Sequence, residues 1–273
     1  MSDLIEIYQK YCPYQIVDHI QELEFTFDID LLRKELFEFI IDNKFGFSTV
    51  SLRLPQGETD YSSVDEKLET GAIDPSNYHP NRKNIPLNNT HNSEYLYWHP
   101  QLIDSYTASL IPEIEKLCGL HIGRIRLGWL QPHSGYHMHC DLEPMRLHIP
   151  LFTNNLAYMI HDHNIYHMQY SKLYHLITTN IHTAWNFGKL PRLHLIFSTY
   201  ADADVDAEIA KVSLFERSSQ NFVNTIKKQG VDKYSLLEVF RIAESITKFD
   251  SKTKTDMLQE IKQITDLLSE TNS

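Results

Sequence analysis

Between residues 122 and 200 the sequence breaks into short runs of alternating apolar and polar residues, separated by turn formers. This stretch limits the fold more than any other. Runs at 124–130, 136–141, 146–153, 156–160, 166–170, 174–177, 181–187 and 193–199 are too short for helices and carry a two-residue period. Pro132-His-Ser-Gly135 and Asn154-Asn155 supply turn chemistry between them. Seven or more short strands in succession predict a sandwich or jelly roll.

The flanks read differently. Asp28 or Asp30 caps a predicted helix running to about Asn43, with Leu32, Leu36, Phe39 and Ile40 on its buried face. Residues 23–27 suit a short strand, and residues 44–55 a strand pair or one bent strand. Residues 56–93 are rich in Asp, Asn, Ser, Pro and Gly, and read as a long loop over the substrate side or a solvated insertion. From Pro100 a helix of about fifteen residues is expected to reach Leu117, with Gly119 as its C-cap. After Tyr200 the period turns helical again. The expected organisation is a mainly β chain with flanking helices: a double-stranded β-helix (jelly roll, cupin-like) core in residues 1–200 with an N-terminal α/β elaboration, and a helical subdomain in 201–273 that packs on the core or mediates homo-oligomer contacts.

Charge and cysteine usage narrow the function classes. A formal net charge of −11 over 273 residues, with no Lys/Arg-rich run, disfavours nucleic acid and anionic membranes as partners. No apolar run approaches the ~20 residues of a membrane span, and the first residues show neither a basic nor an apolar leader region. Cys12, Cys118 and Cys140 are odd in number, with no CxxC, so they read as free thiols. The expected setting is cytoplasmic.

The polar residues with the most chemical content lie in the same middle third. Of fifteen histidines, eleven fall between His121 and His194. His139 and Asp141 are two apart in an extended run and therefore share one strand face. With His182 on a distant strand they supply two imidazoles and a carboxylate, the donor set of non-haem iron(II) oxygenases. Arg192 lies ten positions beyond His182, across Gly188-Lys-Leu-Pro191, a spacing that predicts a hairpin with the two strands side by side. Its planar fork suits a carboxylate in a way a lysine does not. Arg146 and His148 share a face of the next strand. Other combinations stay open on spacing alone. His137 and His139 with His161 or His163 would make a cupin-type metal site, although His161 and His163 fall in an expected solvated turn. Each of these residues is also an ordinary strand filler or surface charge.

Taken together, His139-Cys-Asp141, Arg146-Leu-His-Ile-Pro-Leu-Phe-Thr-Asn154, His182-Thr-Ala-Trp-Asn-Phe-Gly188 and Arg192-Leu-His-Leu-Ile196 resemble the aspartyl/asparaginyl β-hydroxylase family, especially its small proline-hydroxylase-like members. The resemblance covers roughly residues 124–200. It implies an iron(II)- and 2-oxoglutarate-dependent dioxygenase on a double-stranded β-helix. By it, His139, Asp141 and His182 ligate iron, Arg192 pairs with the far carboxylate of 2-oxoglutarate, and Arg146 and His148 help to hold that co-substrate. Asn186 matches a recurrent Asn without an assigned role. Keeping Asp141, where some members carry glycine, favours hydroxylation over halogenation. One departure is the start of the strand before His182, where Ser171-Lys-Leu-Tyr174 has none of the family's usual glycine. The expected partners are dioxygen and an amino-acid-like small molecule. Hydroxylation of a protein side chain and a non-catalytic cupin-like binding role are the alternatives.

Overall fold

A computed structural model describes residues 2–46, 49–61, 93–136, 145–161, 164–178 and 182–200. His139, Asp141, His137, Cys140 and His163 lie outside the described residues, as do most of the 56–93 stretch and the whole of the expected helical segment 201–273.

Four helices and twelve strands are described: α1 (Ser2–Gln9), β1 (Ile20–Leu23), α2 (Ile29–Asp42), β2 (Val50–Ser51), β3 (Arg53–Leu54), β4 (Tyr97–Trp98), α3 (Tyr106–Ser109), α4 (Ile111–Cys118), β5 (His121–Leu130), β6 (Ser134–Gly135), β7 (Arg146–Phe152), β8 (Ala157–His161), β9 (Asn164–Tyr166), β10 (Leu173–Leu176), β11 (His182–Asn186) and β12 (Arg192–Tyr200). A six-stranded antiparallel sheet runs β1-β10-β7-β12-β5-β2, and a four-stranded one runs β6-β11-β8-β9. Strands β3 and β4 form a small separate ladder. The chain is thus the mainly β jelly roll that its alternation predicts.

The helices follow from local chemistry. Asp28 caps α2 by accepting from the backbone N–H groups of Asp30 at 3.1 Å and Leu31 at 2.9 Å. Leu32, Leu36, Phe39 and Ile40 form its buried stripe. The single helix expected over 100–117 is instead three pieces: a 3-10 turn at Pro100–Leu102, then α3, then α4. Ser105 starts α3 afresh by accepting from Ala108 N–H at 3.0 Å, and Pro112 sits in the first turn of α4, where its missing N–H costs nothing. Glu35 of α2 accepts from the backbone N–H groups of Tyr106 and Thr107 and from the Thr107 hydroxyl, which docks α2 on the start of α3. Gly119 ends α4 in the left-handed region at φ 72°. A side chain there would also collide with the carbonyl of Tyr11.

The two faces of the large sheet divide the labour. Leu127, Leu147, Ile149, Leu151, Leu193, Leu195 and Phe197 point to the helices and form the main apolar core. Fully burying one such side chain contributes roughly 1.5–3 kcal/mol. The opposite face looks toward the small sheet, where Leu130, Tyr174 and Leu176 meet Met159 and Ala184. The residues alternate with those of the core face, so everything one position out of phase with the leucines enters the space between the sheets.

Three further expectations change. The strand near residues 23–27 is shifted to β1. Residues 134–135 of the expected turn pair as β6 with β11, and the turn itself tightens around His133 at φ 54°. Strands β11 and β12 are not a hairpin: β11 pairs with β8 and β6, while β12 pairs with β5 and β7. The connection crosses from one sheet to the other. Among the described residues, no helix is long and apolar enough to cross a membrane.

Candidate active site

The inter-sheet face of the large sheet is built from a repeated two-residue spacing. Strand β5 carries Arg124 and Arg126, β7 carries Arg146 and His148, and β12 carries Arg192 and His194. Register aligns them. Ile196 of β12 stands between Arg126 and His148, and Ser198 stands opposite Arg146. Because the strands are neighbours with a common pleat, these side chains line one wall. Arg124, Arg126, His148, Arg192, His194 and Ser198 are all buried.

From the small sheet, His182 and His161 face this wall. They are cross-strand partners, with ring centroids 6.5 Å apart. His161 is 1% exposed, its Nε2 lies 3.1 Å from the carbonyl oxygen of Ile177, and its ring stacks on His19 at 4.6 Å. It is therefore a core residue and not the solvated turn residue expected, because β8 continues through it to pair with β11. The Arg192 guanidinium reaches across the sandwich to Met159 of β8, with Nη1 3.6 Å from Sδ.

Among the described residues, the groups acting on His148 and His194 are cations and imidazoles. Burial, reinforced by Arg192, Arg146, Arg126 and His182, holds His148 well below the ordinary imidazole range. His194 is depressed in the same way by burial, Arg192 and His148. Burial lowers Arg192 to about 10, which leaves it charged at neutral pH. No carboxylate among the described residues is hydrogen-bonded to Arg126 or Arg192. Within the described residues, Arg192 Nε, His148 Nε2, His194 Nε2 and Ser198 Oγ are buried without a hydrogen-bond partner. A buried guanidinium without a protein counter-ion costs several kcal/mol unless a ligand supplies the charge. The wall therefore fits an anion with carboxylate oxygens.

The sequence-predicted residues divide accordingly. Arg146, His148, Arg192 and His182 converge on the space between the sheets. His139 and Asp141 lie outside the described residues, and among the described residues no group of three His, Cys, Asp or Glu side chains stands ready to hold a metal. Sequence reasoning missed Arg126, Ser198 and the burial of His194. The signal was present in Arg124-x-Arg126, Arg146-x-His148 and Arg192-x-His194, three basic pairs at strand period, but only sheet order makes the three strands neighbours. Asn186 gains a role. Fully buried, it donates from Nδ2 to the carbonyl oxygens of Leu130, Gln131 and Leu190 at 3.1, 3.1 and 2.8 Å, and its Oδ1 accepts from Gly188 N–H and from Asn154 Nδ2. It holds the crossing that sends the chain from His182 in one sheet to Arg192 in the other. A side chain at Gly188 would strike the Asn154 amide and push it off its bonds to Asn186 and Leu190.

Residues 101–201 match the model of the aspartyl/asparaginyl beta-hydroxylase family. The match spans α3 to β12 and takes in all the motif blocks. No curated protein matches the chain. Among solved structures, an oxidoreductase of the 2OG-Fe(II) oxygenase family from Burkholderia pseudomallei is 14% identical, with 38% of this chain and 58% of that one covered and a TM-score of 0.31. A viral collagen prolyl hydroxylase from Paramecium bursaria Chlorella virus-1 is 7% identical (66% and 91% covered, TM-score 0.36). A Pseudomonas putida prolyl-4-hydroxylase is 10% identical (73% and 94% covered, TM-score 0.34).

Proposed function

We propose that the protein is an iron(II)- and 2-oxoglutarate-dependent dioxygenase that hydroxylates an unactivated carbon of a free amino acid or amino-acid-derived metabolite. The observation that carries this reading is the basic wall between the sheets, on which Arg192 is buried with no counter-ion among the described residues. A dicarboxylate supplies the missing charge. Arg192 takes its far carboxylate through the guanidinium fork, and Arg146 and His148 hold oxygens at the other end. His139, Asp141 and His182 are the proposed iron ligands, and of these His182 stands on the inter-sheet face of β11.

Held by these residues, iron(II) would supply the oxidising chemistry for a hydroxylation. The overall balance is 2-oxoglutarate, dioxygen and a C–H substrate giving succinate, carbon dioxide and the alcohol. This chain's own residues contribute charge pairing for the dicarboxylate, ligand orientation, and a chamber closed by two sheets that keeps bulk water from the reacting carbon.

The test is succinate formation by the full chain with iron(II), 2-oxoglutarate and a panel of amino acids and metabolites, read by mass for a gain of one oxygen. His182→Ala should abolish iron-dependent turnover, and retained turnover would remove His182 from the ligand set. The family's name concerns aspartyl and asparaginyl groups, so peptides bearing those residues belong in the same panel as the alternative substrate class. Absence of both iron binding and turnover would leave the non-catalytic binding role.

A further inference from the structure

His148 and His194 approach each other Nδ1 to Nδ1 at 3.3 Å, with rings 5.5 Å apart and at 81°. Both side chains are almost fully buried, at 4% and 1% exposure. They sit diagonally on neighbouring strands, His148 opposite Ile196 and His194 opposite Pro150. Two neutral imidazoles facing through the same type of nitrogen can hydrogen-bond in one way only: one Nδ1 carries a proton and the other offers a lone pair. The two tautomers are therefore locked to each other. If His194 donates, His148 must carry its proton on Nε2. If His148 donates, His148 Nε2 is a bare lone pair.

The two arrangements differ in what His148 presents to the chamber. Its Nε2 is buried and has no protein partner among the described residues, and the groups acting on the ring are Arg126, Arg146, Arg192 and His182. A carboxylate drawn there by the arginines meets an N–H in the first arrangement and is repelled by a lone pair in the second. We infer that His194 is a positioning residue: its Nδ1–H donates to His148 Nδ1 and so holds His148 as an Nε2–H donor for the carboxylate of the bound dicarboxylate. Three arginines already provide the charge. The histidine pair adds a neutral, directional hydrogen bond, which selects the orientation of the anion more than its presence. Burial and the surrounding cations keep both rings neutral, which the interlock requires. The same logic fixes histidine tautomers through their second nitrogen in other sites. This inference rests on the dicarboxylate reading for its ligand, but not for its tautomer.

The test has two arms on the full-length protein. Nitrogen-15 NMR of the imidazoles, with His148 assigned from its loss in His148→Gln, reads the tautomer before and after addition of 2-oxoglutarate. His148 is expected as the Nε2–H form, and observation of the Nδ1–H form overturns the inference. The second arm is 2-oxoglutarate binding by calorimetry. His194→Asn keeps an N–H donor near the Nδ1 position and should bind within about threefold of the parent. His194→Leu should bind about tenfold more weakly, as expected for loss of one oriented hydrogen bond, at an unchanged melting temperature or after correction against the Asn variant. Equal affinity of the Leu and parent proteins also overturns it. If the parent protein does not bind 2-oxoglutarate at all, the dicarboxylate reading fails, and the tautomer spectrum of the free protein still decides the histidine pair.

Discussion

Asn154 donates from Nδ2 to Oδ1 of Asn186 at 3.0 Å, thirty-two residues along the chain, and the same Nδ2 reaches the carbonyl of Leu190 at 2.9 Å. The pair closes the corner at which β11 ends and the chain crosses to β12. His182 and Arg192 lie on either side of that corner, one in each sheet, so two side-chain amides fix which residues face each other across the chamber.

Removing the corner should therefore cost stability. Asn186→Ala leaves Leu130 and Gln131 without this side-chain donor and takes the acceptor from Gly188 N–H. The expected destabilisation is roughly 2–4 kcal/mol. Asn186→Asp should do no better, because a carboxylate has no N–H to give. Urea unfolding of both variants checks this, and a change in the Ala variant below about 0.5 kcal/mol would show that the corner holds without the amide.

Arg192 should separate stability from ligand binding. It is buried, and its Nε has no hydrogen-bond partner among the described residues. Arg192→Met removes a desolvated charge while keeping much of the volume, so the ligand-free protein is expected to gain about 1 kcal/mol and to lose 2-oxoglutarate binding. Arg192→Lys keeps the charge without the fork and should weaken binding at least about tenfold. Thermal melts with and without 2-oxoglutarate test both: the ligand should stabilise the parent most, the Lys variant less and the Met variant not at all.

The dependence of stability on pH follows from the buried histidines. Burial pushes His175 down to about 4 from an ordinary value of 6.5, and His148, His161 and His194 are depressed in the same direction. The unfolded chain takes up protons near pH 6.5 while the folded chain does not. Stability is therefore fully present above that value and is lost as pH falls toward about 4. His175 alone accounts for roughly 3 kcal/mol across this window. Urea midpoints measured between pH 7.5 and 4.5 should fall, and a flat profile would contradict the burial of these rings. Within the same unit, the Tyr14 hydroxyl lies 2.6 Å from His175 Nδ1, and His175 Nε2 lies 2.9 Å from the Asp18 carbonyl. Tyr14→Phe should cost about 1 kcal/mol.

Ser171 is the position where the resemblance expects a glycine nearby, and it adopts φ 63°. A side chain in the left-handed region costs about 1–2 kcal/mol, part of which glycine loses again through the freedom of its unfolded chain. Ser171→Gly is expected to raise stability by about 0.5–1 kcal/mol without changing 2-oxoglutarate affinity. A melting-temperature comparison is sufficient to check it.

Much of this molecule is written locally. The two-residue alternation after residue 122 dictates strands, because only an extended chain puts every second apolar side chain on one face. Asp28 dictates where α2 begins and Gly119 where α4 ends, since each satisfies or relieves its own neighbouring backbone. The same local period places Arg146 with His148 and Arg192 with His194. What the sequence leaves undecided is which strands become neighbours. The spacing of His182 and Arg192 suits a hairpin, yet the Asn186 corner sends them to opposite sheets. His161 sits beside turn-like residues, yet pairing with His182 buries it. Arg126 looks like a surface charge until β5 takes its place beside β12. Strand pairing joins residues far apart in the chain, and its energy lies in sheet order and inter-sheet packing that no local window contains. The tertiary structure alone turned three separate basic pairs into one wall.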